Sequence, residues 1–337
     1  MKSVVSWLIG PLESAKEIRD KMFSVELQSP PPQRSFVAKK PIKKSEDVYA
    51  PQKFDDYIGQ VKAKSILKRY IKASKANDAC IPHMIIHGNA GCGKTTLARI
   101  MAKELGVKFA EVIATTCGNV EDILAIIRKA KGGIVFLDEV HGLKRKDAES
   151  LYSVMEDFKY NGKKIKPFTL IGATTEYGEL LRNRKPFVDR FKINLELSLY
   201  TPKDLEEMVR KYKKNAFPTL KILDEAYEVI SRNSKLTPRM AIRLLDSTAY
   251  FDGDYKMVLE NFNIVKDSYT CKDIKAMEYL KNIKSAGVDS IATFLNTPKQ
   301  SYLYEVEPYL LQTAMIVRGG TGRRITDKGI SFLASLP

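Results

Sequence analysis

Residues 88–95 form the strongest chemical signal in this chain, since Gly-Asn-Ala-Gly-Cys-Gly-Lys-Thr fits the phosphate-loop pattern Gly-x-x-x-x-Gly-Lys-Ser/Thr. Glycine at the fixed positions lets backbone N–H groups approach a triphosphate that bulkier residues would hold away. Lys94 adds a charge for the β- and γ-phosphates, and Thr95 adds a hydroxyl ligand for Mg²⁺. The predicted nucleotide contacts in this segment are Gly88, Asn89, Ala90, Gly91, Cys92, Gly93, Lys94, Thr95 and Thr96.

A second set of polar residues follows a buried strand predicted at residues 134–137. Asp138 and Glu139 come directly after this apolar run, where the carboxyl end of a parallel strand faces a ligand. Asp138 is suited to hold Mg²⁺, usually through water, and Glu139 to orient and deprotonate an attacking water. The pair predicts hydrolysis of the bound nucleotide.

Two adjacent hydroxyls end the next predicted strand, at residues 168–174. Thr174 and Thr175 could sense a γ-phosphate or position water, and either could instead only satisfy the strand terminus. The chain contains no Asn/Thr-Lys-x-Asp segment of the kind that reads guanine. ATP with Mg²⁺ is therefore the predicted ligand pair.

The elements around these residues predict an α/β fold. Between residues 51 and 200, strand-like and helix-like runs alternate, which is typical of a parallel sheet flanked by helices. An apolar strand at residues 83–87 precedes the phosphate loop and a helix with apolar residues at helical spacing follows it. Further strands are predicted at 109–114, 134–137, 168–174 and 193–197.

The remainder of the chain predicts two smaller domains and an extension. Residues 201–270 suggest an all-α domain, with helices at 202–211, 224–232 and 238–251. Residues 271–337 combine short helices with a basic, glycine-rich turn at 318–324, which suggests a winged helix. Residues 1–50 carry a helical pattern and a basic linker; we expect either a docking helix on a tether or a helix packed on the chain's own next domain.

Composition narrows the class of partner. The chain has 337 residues, 44% of them apolar, and a formal net charge of +16, which favours an anionic partner such as nucleic acid over simple solvation of lysine-rich faces. The four cysteines lack metal-type spacing, and a disulfide at Cys92 would obstruct the phosphate loop. No run is long enough to span a membrane or fits a signal peptide, so we expect a cytoplasmic protein.

Several separate segments resemble, in the same order, the RuvB family, the AAA+ motors of Holliday-junction branch migration. Among them are Leu-Asp-Glu-Val-His at 137–141 and Met-Glu-Asp-Phe at 155–158. The matching segments are 54–60, 88–95, 137–141, 155–158, 168–175, 200–202, 237–241 and 307–310. The resemblance covers residues 51–337 and implies a P-loop AAA+ ATPase domain, a helical lid and a C-terminal winged helix.

The resemblance also implies residue roles around the nucleotide. Tyr57, Ile58 and Tyr200 match the adenine pocket. Thr174 matches the first sensor, and Arg239 matches the second sensor, on the lid.

The arginine finger of the family is presented to a neighbouring subunit, and Arg190 matches it. Arg182 and Arg184 compete for this role, and Asp189 replaces the small polar residue usual before the finger. A homo-oligomeric ring, hexameric in this family, is therefore implied.

Two features concern macromolecular partners. Arg318, Arg323 and Arg324 on the predicted wing are expected to contact the DNA backbone without reading sequence, with a merely solvated basic hairpin as the alternative. The family's hairpin that docks on RuvA is longer than the segment at 159–167, whose Asn-Gly predicts a tight turn. A RuvA-like partner is thus in doubt, and the extension could have taken over recruitment.

These features favour an ATP-dependent motor that, as a ring, translocates duplex DNA and drives branch migration of Holliday junctions. The alternative is a clamp-loader-like AAA+ switch that loads or remodels a protein on DNA. Clamp-loader subunits end in a helical collar and carry a Ser-Arg-Cys finger, whereas this chain has Asp-Arg-Phe at 189–191. A small-molecule P-loop kinase is a third, weaker interpretation.

Overall fold

The structure is a computed structural model that describes residues 51–336. The helix and basic linker predicted within residues 1–50 lie outside the described residues. The strands are β1 (Met84–Gly88), β2 (Phe109–Ile113), β3 (Ile134–Asp138), β4 (Lys159–Tyr160), β5 (Lys163–Lys164), β6 (Thr169–Thr174), β7 (Ile193–Leu197), β8 (Ile264–Lys266), β9 (Tyr269–Thr270), β10 (Ile316–Gly319) and β11 (Gly322–Ile325).

Five of these strands form a parallel sheet in the order β2-β3-β6-β1-β7. Strands β3 and β6 are almost entirely buried, as expected for a sheet covered on both faces. The strand that precedes the phosphate loop lies between β6 and β7, so its carboxyl end is enclosed by neighbouring strand ends. The predicted P-loop AAA+ parallel sheet is confirmed.

Helices cover both faces of the sheet. One core contains the inner faces of the helices before and after β1, and the other contains the helices around β3. The helix after β2 begins with a capping box, in which the Asn119 side chain and Asp122 satisfy each other's backbone N–H groups. The helices of this domain are α1 (Val61–Asn77), α2 (Lys94–Leu105), α3 (Val120–Ala130), α4 (Arg145–Ser150), α5 (Tyr152–Glu156), α6 (Tyr177–Asn183) and α7 (Lys185–Val188).

Four helices follow the sheet, and the sequence predicted three of them; the fourth helix and the short β8–β9 pair, which lies inside the region predicted to be all-α, were not predicted. The first begins with a Thr201–Asp204 capping box and with Pro202 at its first turn. It runs to Ala216, five residues beyond the predicted end at residue 211. The lid helices are α8 (Pro202–Ala216), α9 (Asp224–Arg232), α10 (Pro238–Tyr250) and α11 (Tyr255–Asn261).

The C-terminal part contains its own hydrophobic core and an antiparallel β10–β11 pair. This pair is the wing predicted at residues 318–324, and the winged-helix fold is confirmed. Its helices are α12 (Cys271–Ile283), α13 (Val288–Phe294), α14 (Lys299–Ser301), α15 (Glu307–Gln312) and α16 (Asp327–Ala334), with a π-helical turn at Tyr302–Val306. The predicted domain boundaries at 50, 200 and 270 stay predictions.

The Asn-Gly segment adopts the tight turn that its sequence predicts. Asn161 and Gly162 have φ angles of 46° and 75° between β4 and β5, as a type I′ hairpin requires. None of the helices within residues 51–336 combines the length and the apolar character needed to cross a bilayer.

Candidate active site

Three strands bring the predicted chemistry to one edge of the sheet. The phosphate loop leaves β1 at Gly88, Asp138 ends β3 and Thr174 ends β6. Register places His87 of β1 opposite Thr174. Because the strands are parallel, these carboxyl ends form one crevice, the usual ligand position in open α/β sheets.

The phosphate loop requires glycine at two positions. Gly91 and Gly93 have φ angles of 78° and 91°, which other L-residues rarely adopt. A methyl group on Gly91 would come within 2.7 Å of the Arg239 Cβ, and one on Gly93 within 2.5 Å of the Tyr57 hydroxyl. The loop is therefore packed tightly against both the lid and the start of the described chain.

Lys94 lies folded against the loop that it follows. Its Nζ donates to the carbonyl oxygens of Gly88, at 2.8 Å, and Asn89, at 3.0 Å. Burial lowers the pKa of Lys94, although Glu139 and Asp138 oppose that shift. The ammonium group thus lies between the loop carbonyls and the acids of β3.

The start of α2 offers an anion-binding end. The first N–H groups of a helix have no intrahelical acceptors, and the helix dipole makes this end positive. Here they belong to Lys94, Thr95 and Thr96, directly after the loop. Such an end, preceded by glycines at positive φ, fits a bound phosphate.

Tyr57 and Tyr200 form a buried pair beside the loop. Their hydroxyls are 2.9 Å apart, and both contact the Cys92 carbonyl oxygen, at 3.4 Å and 3.3 Å. Burial raises the pKa of Tyr200 to about 12, and burial also raises the pKa of Tyr57 well above its usual range. Ile58 is half-buried next to them. The three predicted adenine-pocket residues therefore lie together against the loop.

The acids after β3 have distinct settings. Asp138 Oδ1 accepts a hydrogen bond from the Glu139 N–H at 3.0 Å. Glu139 has a φ of 49°, an uncommon left-handed conformation for a glutamate. Its Oε2 lies 3.2 Å from His141 Nδ1, and His141 Nε2 lies 3.8 Å from Glu176 Oε2. His141 thus bridges two carboxylates at the edge of the site.

The two threonines after β6 have different surroundings. Thr174 is fully buried, and its hydroxyl lies 3.0 Å from His141 Nδ1 and accepts from the Glu176 N–H at 3.0 Å. Thr175 is exposed, and its hydroxyl donates to Glu139 Oε2 at 3.4 Å. The Thr174 hydroxyl thus provides an acceptor for a backbone N–H at the end of β6, whereas the Thr175 hydroxyl faces the Glu139 carboxylate.

The predicted arginines separate into two groups. Arg239, at the start of α10, lies against Gly91 and is exposed. Arg190 lies elsewhere, over the Tyr152 ring and 3.2 Å from Glu156. Arg182 is exposed on α6, and Arg184 is half-buried with an Nη1 that has no hydrogen-bond partner within residues 51–336. Of these four predicted arginines, all within residues 51–336, only Arg239 lies against the loop.

Two of the three wing arginines bind a buried carboxylate. Glu307 is completely buried, and it accepts from Arg318 Nη2 at 2.9 Å and from Arg323 Nε at 2.5 Å. Burial alone would raise the pKa of Glu307, but the hydrogen bonds from both arginines outweigh it and lower the pKa. Arg324 is exposed on the same strand. All three predicted DNA-contact residues thus lie on one hairpin.

Sequence reasoning gave no role to several residues that shape these sites. His141, Glu156 and Glu307 stand within segments that carry the family resemblance, and that was their only signal. Tyr152 and Glu176 had none. Their contacts join residues far apart in the chain or on opposite sides of a turn, and spacing alone does not report such contacts.

Comparisons with known proteins agree with this architecture. A family model described as the Holliday junction DNA helicase RuvB P-loop domain matches residues 49–197, and the RuvB C-terminal winged helix domain matches residues 270–334. The Holliday junction branch migration complex subunit RuvB of Mycoplasmopsis pulmonis is 32% identical over 309 residues, covering 84% of this chain and 96% of that protein. The RuvB of Kosmotoga olearia is 35% identical over 309 residues, covering 84% of this chain and 89% of its own length.

A solved structure shows the same arrangement. The Thermotoga maritima RuvB Holliday junction branch migration motor is 32% identical, with a TM-score of 0.74 over 86% of this chain and 100% of that one. Similarity of this extent covers the sheet, the lid and the winged helix together. The chain described here therefore belongs to the RuvB family.

Proposed function

We propose that this chain is an ATP-driven motor that translocates duplex DNA and drives branch migration of Holliday junctions. The observation that carries the proposal is that a phosphate loop, paired acids and a hydroxyl lie together at one edge of the sheet. A lid arginine packs on the same loop. The same chain carries a winged helix with arginines on its wing. The RuvB relatives support this motor, and nothing in them supports the clamp-loader alternative.

The residues present fit ATP with Mg²⁺. Backbone N–H groups of the loop and of the start of α2 hold the phosphates, and Lys94 neutralises the β- and γ-phosphates. Thr95 and Asp138 are the residues that would hold Mg²⁺, which when bound neutralises charge on the transferred phosphoryl group. Tyr57, Ile58 and Tyr200 receive the adenine.

Hydrolysis is assigned to residues of two subunits. Glu139 takes a proton from the attacking water, and Thr175 orients that water or the γ-phosphate beside it. We assign the sensor role to Thr175 rather than to Thr174, the residue that the family resemblance implies. The Thr174 hydroxyl already accepts a hydrogen bond from the Glu176 N–H at the end of β6. Arg239 stabilises phosphate charge from the lid, and Arg190 does so from the neighbouring subunit of a hexameric ring.

The proposed partners are branched or duplex DNA and further copies of this chain. Arg318, Arg323 and Arg324 contact phosphates, and the glycines of the wing allow close approach without base reading. The β4–β5 hairpin is shorter than the family's docking hairpin, so the proposal leaves a RuvA-type subunit open, with residues 1–50 as an alternative means of recruitment. The activity is placed in the cytoplasm.

The test is ATP-driven separation of a synthetic four-way junction whose arms carry a fluorophore and a quencher. Wild-type protein should separate the junction. Glu139→Gln should still bind ATP and the junction, but lose about 10²- to 10⁴-fold in hydrolysis, because its amide cannot accept the proton.

The exposed Glu179 on α6 provides the matched control, since Glu179→Gln makes the same chemical change away from the crevice. This variant should behave as wild type. A wild-type protein that hydrolyses ATP and holds the junction without ever separating it would contradict the motor and point to a DNA-bound switch.

A further inference from the structure

The Arg190 guanidinium lies over an aromatic ring. Its central carbon is 3.6 Å from the centroid of the Tyr152 ring, which is close enough for stacking and cation–π attraction. Tyr152 is the first residue of α5. Arg190 lies 38 residues later in the sequence, just after α7. The contact therefore joins two elements that the chain keeps apart.

Two further contacts fix the same side chain. Arg190 Nε lies 3.2 Å from Glu156 Oε1, one helical turn after Tyr152, and Nη1 donates to the Pro186 carbonyl oxygen. The Arg190 side chain is 20% exposed to solvent, whereas the Glu156 side chain is 57% exposed. One hydrogen bond and one ion pair thus accompany the ring contact, although the Nε forms no hydrogen bond within residues 51–336, and part of the guanidinium remains at the surface.

The ring beneath Arg190 is itself anchored. Tyr152 stacks on Phe187, with centroids 6.4 Å apart and planes 22° apart. Phe187 is completely buried and packs edge-on against Phe191, at 5.2 Å. Phe187 and Phe191 flank Arg190 in sequence, so the ring is fixed to the same turn that carries the arginine.

The competing arginines have no such support. Within residues 51–336, neither Arg182 nor Arg184 stacks on an aromatic ring or forms an ion pair. An exposed arginine loses much conformational freedom when it is ordered, and this loss opposes catalysis unless it has occurred beforehand. A side chain ordered in the free subunit avoids that loss when the neighbour's transition state forms.

We propose that Tyr152 is a positioning residue for Arg190, whose guanidinium it holds ready for the nucleotide bound by the adjacent subunit. This inference rests on the proposed function of Arg190 as the arginine finger. Tyr152 acts only through Arg190 and does not contact the nucleotide of its own subunit. The ring face, rather than the hydroxyl, provides the support.

The first test compares Tyr152→Phe, which keeps the ring, with Tyr152→Leu, which removes it while remaining apolar. Tyr152→Leu should lower kcat for ATP hydrolysis by the assembled protein about tenfold, with KM and nucleotide affinity unchanged. Tyr152→Phe should retain most of the wild-type kcat. If Tyr152→Leu fails to fold, Tyr152→Met takes its place. An equal loss in the Phe and Leu variants would overturn the proposal.

The second test asks which subunit carries the defect. Tyr152→Leu subunits are mixed with Glu139→Gln subunits, which cannot hydrolyse ATP but retain Tyr152 and Arg190. Hydrolysis per Tyr152→Leu subunit should rise toward the wild-type value, because the neighbour then supplies a well-placed arginine. Absence of any rise would show that Tyr152 acts in its own subunit and would overturn the proposal.

A parallel mixture distinguishes failure of this inference from failure of the proposed function. Arg190→Ala subunits mixed with Glu139→Gln subunits should recover hydrolysis in the same way. If they do not, Arg190 is not a finger supplied in trans and both ideas fail. If they recover while the Tyr152→Leu mixture does not, only the role of Tyr152 is wrong.

Discussion

Thr174 and Thr175 show how two identical neighbouring side chains can have different tasks. The Thr174 hydroxyl is enclosed by His141 and the Glu176 N–H, whereas the Thr175 hydroxyl contacts Glu139. Successive side chains of a strand point to opposite faces, so the last residue of β6 decides which hydroxyl reaches the crevice. These contacts favour Thr175 for the proposed catalytic task and Thr174 for a structural one.

Substituting each threonine by valine should separate these tasks. Thr175→Val should keep nucleotide affinity but lower kcat about 10²-fold, as loss of one polar group that stabilises a transition state does. Thr174→Val should instead lower the free energy of unfolding by about 1–3 kcal/mol, because it leaves the half-buried Glu176 N–H without its acceptor. Steady-state hydrolysis, nucleotide titration and urea unfolding check both. A Thr174→Val protein that is stable but inactive would reverse the assignment.

The sequence predicted the residues of the phosphate loop because their chemistry depends on spacing within eight consecutive residues. The sequence could not choose between the two threonines, because a shift of one residue in the end of β6 would change which hydroxyl faces the crevice. It also gave His141 no task, although this ring lies between Glu139 and Glu176. Local pattern identifies groups that can react, whereas their mutual orientation depends on neighbouring strands.

Among the elements, the wing and α15 depend on one buried carboxylate. Glu307 begins α15 and binds Arg318 of β10 and Arg323 of β11. Removing one partner of a buried ion pair leaves the other charge uncompensated. Glu307 therefore ties a helix to both strands of the hairpin that carries the predicted DNA contacts.

Glu307→Gln should lower the free energy of unfolding of the C-terminal domain by about 1.5–3 kcal/mol at neutral pH, because charge-assisted hydrogen bonds to Arg318 and Arg323 are weakened while Arg318 stays solvated. The pKa of Glu307 is lower in the folded chain than its ordinary value of 4.5. The wild-type stabilisation is therefore complete above about pH 4.5 and is lost as the pH falls through the folded pKa. Glu307→Gln should lack this acid-dependent loss. Hydrogen exchange in β10 and β11 at pH 7 and below pH 4.5 measures both effects.

Glu305 offers a matched control, since its side chain is exposed two residues earlier. Glu305→Gln should leave both the stability and its pH dependence unchanged. Equal stability of the two variants at neutral pH would show that the arginines do not depend on Glu307.

Element bounds were predictable where burial follows a simple period. Apolar Ile193, Leu195 and Leu197 alternate with polar residues, and this pattern predicts β7 at its observed bounds. Helix α8 extends past its predicted end because Tyr212 continues the buried stripe, while the polar residues after it hide the helix from the sequence pattern. Ion pairs such as that of Glu307 were not predictable, because they join separate elements.

At the scale of the whole chain, one lid turn hydrogen-bonds both to Tyr200 beside the phosphate loop and to Ser268, which precedes the predicted winged helix. Leu236 O accepts from the Tyr200 N–H at 3.1 Å, and the Lys235 N–H donates to the Ser268 hydroxyl at 2.8 Å. Ser268 in turn donates from its N–H to Asn233 Oδ1, at 2.9 Å, and from its hydroxyl to Arg232 O, at 3.0 Å. The turn precedes Arg239 by three residues, and Ser268 comes three residues before the winged helix predicted to begin at residue 271. One hydrogen-bonded joint therefore connects the lid arginine to the segment that leads into the winged helix.

No sequence signal marks this joint. Lys235, Leu236 and Ser268 all have positive φ angles, of 50°, 54° and 70°, at positions where glycine or asparagine would be expected. Their contacts also link residues more than 30 positions apart. Only the packed structure shows that these two turns fit each other.

Because Ser268 is completely buried and its hydroxyl bridges two backbone groups of the lid turn, Ser268→Ala should loosen the joint without altering the crevice. ATP hydrolysis should then continue at the wild-type rate, while the number of junctions separated per ATP should fall about fivefold or more, as loss of coupling between sites predicts. Parallel measurement of phosphate release and junction separation gives this ratio, and Ser65→Ala on the exposed face of α1 supplies the control. An unchanged ratio, in a variant whose hydrogen exchange at residues 232–236 is faster, would show that winged-helix movement does not pass through this joint.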